Sequence, residues 1–200
     1  MENKRIFITG ASGTGKSTIA KHMSELYRLE YISTSAKRVW PEFGFKNHKE
    51  AHIISSVSQY VGVRYQTAVL NNRADLLHGK KNWVTDRSPI DNIVYSLISI
   101  GHSLSTIESG KFIDYAMSIL MKGTGLIYLK WNEDIPIESE GYIDGMRINN
   151  RYYQKMIDSV ISGFINRINF EVYGVKLLTL PDWDIDKRVK LIDEWLNLSH

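Results

Sequence analysis

Two hundred residues, 43% hydrophobic and 24% charged, have the make-up of an ordinary soluble domain, so disordered, collagenous and low-complexity classes are excluded. Lysine and arginine outnumber aspartate and glutamate by 25 to 22; a net charge of +3 does not demand a polyanionic partner, although it suits a phosphate-bearing ligand. The lack of cysteine rules out disulfides, thiolate metal sites and cysteine nucleophiles, and no apolar run approaches the roughly 18 residues of a membrane span, so a cytoplasmic chain with no membrane partner is expected.

Residues 4–9 alternate as a strand and run into a glycine-rich turn, after which Ile19, Ala20, Met23 and Leu26 recur at helical spacing. Residues 29–33 read as a second short strand. Residues 34–49, with Trp40, Pro41, Phe43, Gly44 and Phe45, read as an aromatic loop. From 51 to 78 the apolar period of Ile54, Val57, Val61, Ala68 and Leu76 predicts one bent helix or two, with Gly62 as the weak point. A buried strand follows at 82–86, and Pro89 opens a helix that Gly101 stops. A helix over 105–122 and an apolar strand over 126–129 come next. Residues 133–150 are rich in acids, glycine and proline and predict an exposed mobile loop. Ile157, Val160, Ile161, Phe164, Ile165 and Ile168 then form the strongest helical stripe, and a strand over 175–180 and a helix marked by Ile185, Val189, Ile192 and Leu196 end the chain. Strands alternating with helices imply an α/β fold around a mostly parallel sheet, in one domain of residues 1–200.

The most specific signal is Gly10-Ala11-Ser12-Gly13-Thr14-Gly15-Lys16-Ser17, which satisfies G-x-x-x-x-G-K-[ST] between a predicted strand and a predicted helix. Glycines at 10, 13 and 15 let successive backbone N–H groups, those of Ser12 and Thr14 included, point into one concavity. The helix N-terminus adds partial positive charge, and the Lys16 ammonium balances β and γ phosphates. Ser17 supplies a hydroxyl oxygen to Mg²⁺, and Thr18 offers another to the α-phosphate. ATP and Mg²⁺ are therefore the expected cofactors. The guanine-reading N-K-x-D string is absent, and Asp86, at the end of the third predicted strand, is followed by Arg87 where water-activating ATPases place a glutamate. An arginine there serves a phosphate or a transferring phosphoryl group.

Thr85-Asp86-Arg87-Ser88-Pro89-Ile90-Asp91, a strand ending in D-R-[ST]-P-x-D, resembles the small-molecule P-loop kinases. The likeness is nearest to the riboside-kinase domain of NadR-like proteins and their AAA_28-type relatives, and looser to nucleoside and thymidylate kinases. Asp144-Gly145-Met146-Arg147 is similar to the D-G-x-R that introduces the lid helix of that family. The resemblance implies a P-loop NTPase fold with a five-stranded parallel sheet in the order 2-3-1-4-5, a mobile lid over about 133–151, and transfer of the γ-phosphoryl of ATP to a small nucleoside-like or nucleotide acceptor. Nicotinamide riboside is an alternative acceptor, nucleic acid a weaker one, and a homodimer is left open; a nucleotide-sensing module without turnover is the non-enzymatic rival. The family's Glu-x-x-Arg after the second strand is here Ser35-Ala36-Lys37-Arg38, which keeps the arginine without the acid and counts against nicotinamide riboside.

Asp86 has two competing roles, general base toward an acceptor hydroxyl or Mg²⁺ contact, and the residues alone do not separate them. Arg87 is expected on acceptor or transferred phosphate. Arg147 and Arg151, spaced i and i+4 at the start of the predicted lid helix, are expected to close over the β and γ phosphates. Trp40, Phe43 and Phe45 are candidates to stack a base, Arg38 and Arg64 to hold an acceptor phosphate, and Gln59 and Gln66 to pair a base edge. His48 and His52 lack both the H-E-x-x-H spacing and a third ligand, which argues against zinc.

Overall fold

The computed structural model describes residues 3–101, 104–134, 141–143, 147–181 and 184–197. Its centre is a five-stranded sheet made of β1 (Arg5–Thr9), β2 (Glu30–Ile32), β3 (Trp83–Thr85), β4 (Gly125–Leu129) and β7 (Lys176–Leu180), in the order β2-β3-β1-β4-β7. Every pairing in it is parallel. With β7 as the fifth strand, this is the expected 2-3-1-4-5 order.

The two-residue period of the strands sorts their side chains onto two faces. Phe7, Trp83, Leu126 and Tyr128 face one cluster, which is closed by α5 (Pro89–Ile100), α6 (Thr106–Leu120) and α7 (Arg151–Ile165). Ile6, Ile8, Val84, Ile127 and Leu129 face the other, covered by α1 (Lys16–Tyr27) and α8 (Ile185–Asn197). Strands buried on both faces are why these segments read as continuous apolar runs. In α7 the expected stripe is buried at Ile157, Ile161 and Ile165, and the helix ends there, before Ile168. Pro89 sits in the first turn of α5, as the sequence predicts, and a Ser88–Asp91 capping box fixes the start of the helix.

Three expectations need correction. The segment after β2 is more ordered than an aromatic loop. Ser35 accepts from the Lys37 N–H and starts a 3₁₀ turn over Ala36–Val39, then Pro41 sits in the first turn of α2 (Trp40–Phe43), which ends at Gly44. The long helical pattern is two helices, α3 (His48–Val57) and α4 (Gln59–Leu77), and the break is at Ser58 rather than Gly62. Ser58 is extended and its hydroxyl caps the Val61 N–H at 3.4 Å, whereas Gly62 is small because α3 is pressed against it: a Cβ there would lie 2.4 Å from the Ser55 carbonyl oxygen.

The third correction concerns the acid-rich segment, where β5 (Gly141–Ile143) and β6 (Arg147–Asn149) pair antiparallel in a hairpin. Arg147 therefore stands on a strand and Arg151 at the first position of α7, so the two are not i and i+4 on one helix. Asn150, extended and accepting from the Tyr153 N–H at 3.1 Å, sets the helix start. Asp144, Gly145 and Met146 lie outside the described residues.

Candidate active site

The chain from β1 into α1 makes a compact loop at the carboxyl end of the central strand, where open α/β sheets bind ligands. Gly10, at φ 150°, permits it: a Cβ there would meet the Leu129 carbonyl oxygen at 2.5 Å. Gly13 and Gly15 also take positive φ, and Gly15 caps α1 without a side-chain acceptor, so the first-turn N–H groups remain available to an anion. Lys16 is buried, and its Nζ donates to the Gly10 carbonyl at 2.8 Å and to the Ala11 carbonyl. Thr14 Oγ1 donates to the same Ala11 carbonyl at 3.0 Å. The ammonium thus sits folded against the loop whose concavity it would share with phosphate. Ser12 lines that concavity and Ser17 and Thr18 are exposed on the first turn.

Asp86, one residue beyond β3, stands beside this loop. Its Oδ2 accepts from Ser17 Oγ at 3.1 Å and from Tyr31 OH at 2.7 Å, and its Oδ1 accepts from the Thr34 N–H at 3.4 Å. Burial, reinforced by the Asp86 carboxylate, pushes the Tyr31 phenol up to about 12, so it remains a donor at neutral pH. One hydroxyl and one carboxylate, all oxygen, fit Mg²⁺, which keeps several waters and takes its remaining ligands from phosphates. Among the described residues no group of three or more histidine, aspartate or glutamate side chains is placed to hold a metal ion.

Alongside Asp86 opens a cavity of about 380 Å³ between α3, α4, α5 and the start of α7, reaching Ser12 and Ser17 at one end. Its rim and walls include Trp40, His52, Tyr65, Tyr95 and Tyr153, and burial lowers the His52 imidazole below its ordinary value, so it is neutral at pH 7. Its polar wall is a network. Arg87 donates to Asp91 Oδ1 at 3.3 Å and lies 5.8 Å above the Tyr95 ring. Asp91 Oδ2 accepts from Thr9 Oγ1, the Ser88 N–H and Ser88 Oγ at 2.7–3.0 Å. Arg73, 2% exposed, donates from Nη1 to the Ser88 carbonyl at 2.6 Å and to Asn92 Oδ1, while Asn92 Nδ2 donates to Gln66 Oε1 at 3.3 Å. Burial lowers the Arg73 guanidinium to about 10, with nearby Asp91 opposing the shift, and it stays charged at pH 7. The Nε of Arg73 is buried with no hydrogen-bond partner among the described residues.

The structure therefore gathers Ser17, Asp86, Arg87, Trp40 and Gln66 around one continuous space, while Lys16 lies folded against the adjoining phosphate loop. It does not bring in the other candidates. Phe43 and Phe45 stack at 5.5 Å and pack edge-on against Tyr65 in an aromatic cluster behind the cavity. Arg64 is exposed, taking a hydrogen bond's donor role toward Tyr60 OH at 3.3 Å and lying over the Tyr60 and Phe43 rings. Arg38 and Gln59 are exposed and outside the cavity lining, and Arg151 is exposed at the start of α7. Sequence reasoning missed Arg73, Asn92, Asp91 and Tyr31. A signal existed for Arg73: Gln66, Leu70, Arg73 and Leu77 share one buried face of α4, so two polar residues occupy core positions.

The AAA_28 family model, an AAA domain, matches residues 5–134. Among solved structures, a deoxyadenosine kinase from M. mycoides with dCMP and dCDP bound superposes with a TM-score of 0.67 at 18% identity, over 98% of this chain and 99% of that one. Thymidylate kinase from Candida albicans follows at 0.60 and 17%, over 98% and 92%. A NadR protein with NAD and AMP-PNP gives 0.63 at 10%, over 96% of this chain and 49% of that one. No curated protein matches the sequence. Identities this low speak for a common fold alone, but the family model spans the phosphate loop, the Asp86 strand end and every residue lining the cavity except Tyr153. The chain belongs to the AAA_28 family.

Proposed function

We propose that this protein is a P-loop kinase that transfers the γ-phosphoryl group of ATP to a hydroxyl of a nucleoside-like acceptor. The observation that carries the reading is the position of Asp86, which touches Ser17 of the phosphate loop on one side and lines the cavity on the other. A bound ATP and an acceptor in the cavity would meet at this carboxylate. The fold shared with the three solved neighbours is consistent with this use, and nucleoside and nucleotide kinases are among them.

In this reading the loop N–H groups of Gly10, Ser12, Gly13, Thr14 and Gly15 and the Lys16 ammonium hold the triphosphate, and Thr18 faces the α-phosphate. Ser17 and Asp86 would hold Mg²⁺, which neutralises charge on the β and γ oxygens. Asp86 serves either as that metal contact or as the base that takes the proton of the acceptor hydroxyl, and a Mg²⁺ titration of Asp86→Asn separates the two roles. Arg87, steadied by Asp91 and Tyr95, faces the transferred group. Arg151, outside the cavity lining, would reach the phosphates together with Arg147 only on closure of the expected lid over about 133–151. The acceptor's flat ring lies among Trp40, Tyr65 and Tyr95, with its polar edge on Gln66, Asn92 and Arg73. A hydroxyl acceptor is favoured because Asp86, a carboxylate able to take a hydroxyl proton, lines the cavity beside the phosphate loop.

The test is incubation with γ-labelled ATP and a panel of nucleosides, nucleoside monophosphates, nicotinamide riboside and 5′-hydroxyl DNA. Label is expected on a nucleoside. Label on monophosphates alone would overturn the hydroxyl-acceptor reading, and label on DNA alone would overturn the small nucleoside-like acceptor.

A further inference from the structure

A buried charge stands on α8, away from the cavity beside Asp86. Arg188, Ile192 and Leu196 step by four along α8 and are its buried residues, so an arginine occupies a position that the helix otherwise gives to apolar side chains. Burying a guanidinium is costly unless it is well used. Arg188 is 2% exposed, and its Nη1 donates to the carbonyl oxygen of Thr14 at 2.5 Å, across 174 residues of sequence. The same nitrogen lies 3.3 Å from where a Cβ on Gly15 would stand. The guanidinium is therefore packed directly against the Thr14–Gly15 peptide.

In a trans peptide the C=O of one residue and the N–H of the next point in opposite directions. A donor that grips the Thr14 carbonyl from the α8 side therefore turns the Gly15 N–H away from α8. Gly15, at φ 85° and ψ 17°, has no Cβ to stop this peptide from rotating. We propose that Arg188 is a positioning residue for the phosphate loop, holding the Thr14–Gly15 peptide so that the Gly15 N–H is aimed at the nucleotide phosphates. The inference rests on the nucleotide-binding part of the function proposed above and is independent of which acceptor is used. It also makes α8, a carboxy-terminal element, part of the machinery that binds ATP.

The test compares the parent with Arg188→Met, which keeps bulk without donors, and Arg188→Lys, which keeps charge without the fork. Binding of Mg²⁺·AMP-PNP is measured by calorimetry, together with the KM values for ATP and acceptor and the ¹⁵N–¹H resonance of Gly15. Losing a charge-assisted hydrogen bond predicts AMP-PNP binding about ten- to a hundredfold weaker in Arg188→Met, with a smaller loss in Arg188→Lys. The KM for ATP should rise with acceptor KM unchanged, and the Gly15 amide should shift in the nucleotide-free protein. A structural role alone would lower the melting temperature and leave these readouts in place. Binding within twofold of the parent in folded Arg188→Met overturns the inference. If that variant does not fold, Arg188→Lys decides: unchanged binding and an unmoved Gly15 amide overturn it, and weaker binding with a moved amide supports it. A parent that binds AMP-PNP but labels no acceptor refutes the kinase reading and leaves the Arg188 outcome to stand on its own binding data.

Discussion

Replacing Asp86 with asparagine removes charge and basicity from the reaction centre while changing almost no volume. The carboxylate accepts three hydrogen bonds, from Ser17, Tyr31 and Thr34, and the amide oxygen can keep the two that converge on Oδ2. The amide nitrogen then faces the Thr34 N–H, donor against donor, and the 3.4 Å contact is lost. At this half-buried position the cost to folding should stay within about 1.5 kcal/mol. The cost to catalysis should be larger. A positioned base contributes about 10²–10⁴ in rate, equivalent to roughly 2.7–5.4 kcal/mol of barrier, so kcat for a hydroxyl acceptor should fall by that factor. The assay is initial-rate label transfer from γ-labelled ATP at several Mg²⁺ concentrations, because a metal-holding role predicts partial rescue by excess Mg²⁺ and a proton-accepting role does not. Tyr31 offers an internal control: with the neighbouring charge gone its phenol should titrate below about 12 but above its ordinary value of 10.0, since burial is the larger cause of its shift. If Asp86→Asn is as active as the parent at every Mg²⁺ level, Asp86 is not at the reaction centre.

Two other substitutions test the surrounding construction. Gly10→Ala drives a Cβ into the Leu129 carbonyl oxygen at a backbone angle that side chains rarely adopt, so it should cost roughly 1–3 kcal/mol in urea unfolding and weaken AMP-PNP binding; unchanged stability would mean that the loop and β4 are not in contact. Burial raises the Asp158 carboxyl above its ordinary 3.8, against hydrogen bonds from the Trp131 N–H and Tyr128 OH that favour the ionised form. With the folded value raised, stability is greatest below 3.8 and declines as pH climbs toward the raised value. Melting temperatures of Asp158→Asn should gain on those of the parent over that interval, and parallel curves would contradict the direction of the shift.

The parts of this fold that were legible in the sequence are those where one residue type answers one local demand. Buried parallel strands need apolar residues on both faces, so β1, β3 and β4 announce themselves, and a phosphate cradle needs glycines and a lysine at fixed spacing. Pro89 marks a helix start for the same reason, and the Ser88–Asp91 capping box that accompanies it is seen only in the structure. Residues whose meaning depends on distant partners were not legible. Arg73 and Arg188 look like solvated helix charges until the Ser88 carbonyl and the Thr14 carbonyl are brought to them by the sheet. Asp91 appears in the sequence only as the last position of D-R-[ST]-P-x-D, and its bond to Thr9 exists only because β1 and β3 are neighbours. Phe43 misled in the opposite sense: an aromatic near a predicted site suggests stacking on a ligand, yet it completes a cluster with Phe45 and Tyr65. The Arg147 and Arg151 spacing misled because i and i+4 matters only within one helix, and Asn150 begins that helix after Arg147.

The most direct measurement of the central claim follows the fate of the labelled γ-phosphoryl group in the parent protein, with and without a nucleoside. The account predicts that label appears on the nucleoside as its monophosphate, at a rate that depends on nucleoside concentration and is abolished in Lys16→Ala. Label released as inorganic phosphate at the same rate whether or not any acceptor is present would show that water, and not a molecule held in the cavity beside Asp86, receives the group.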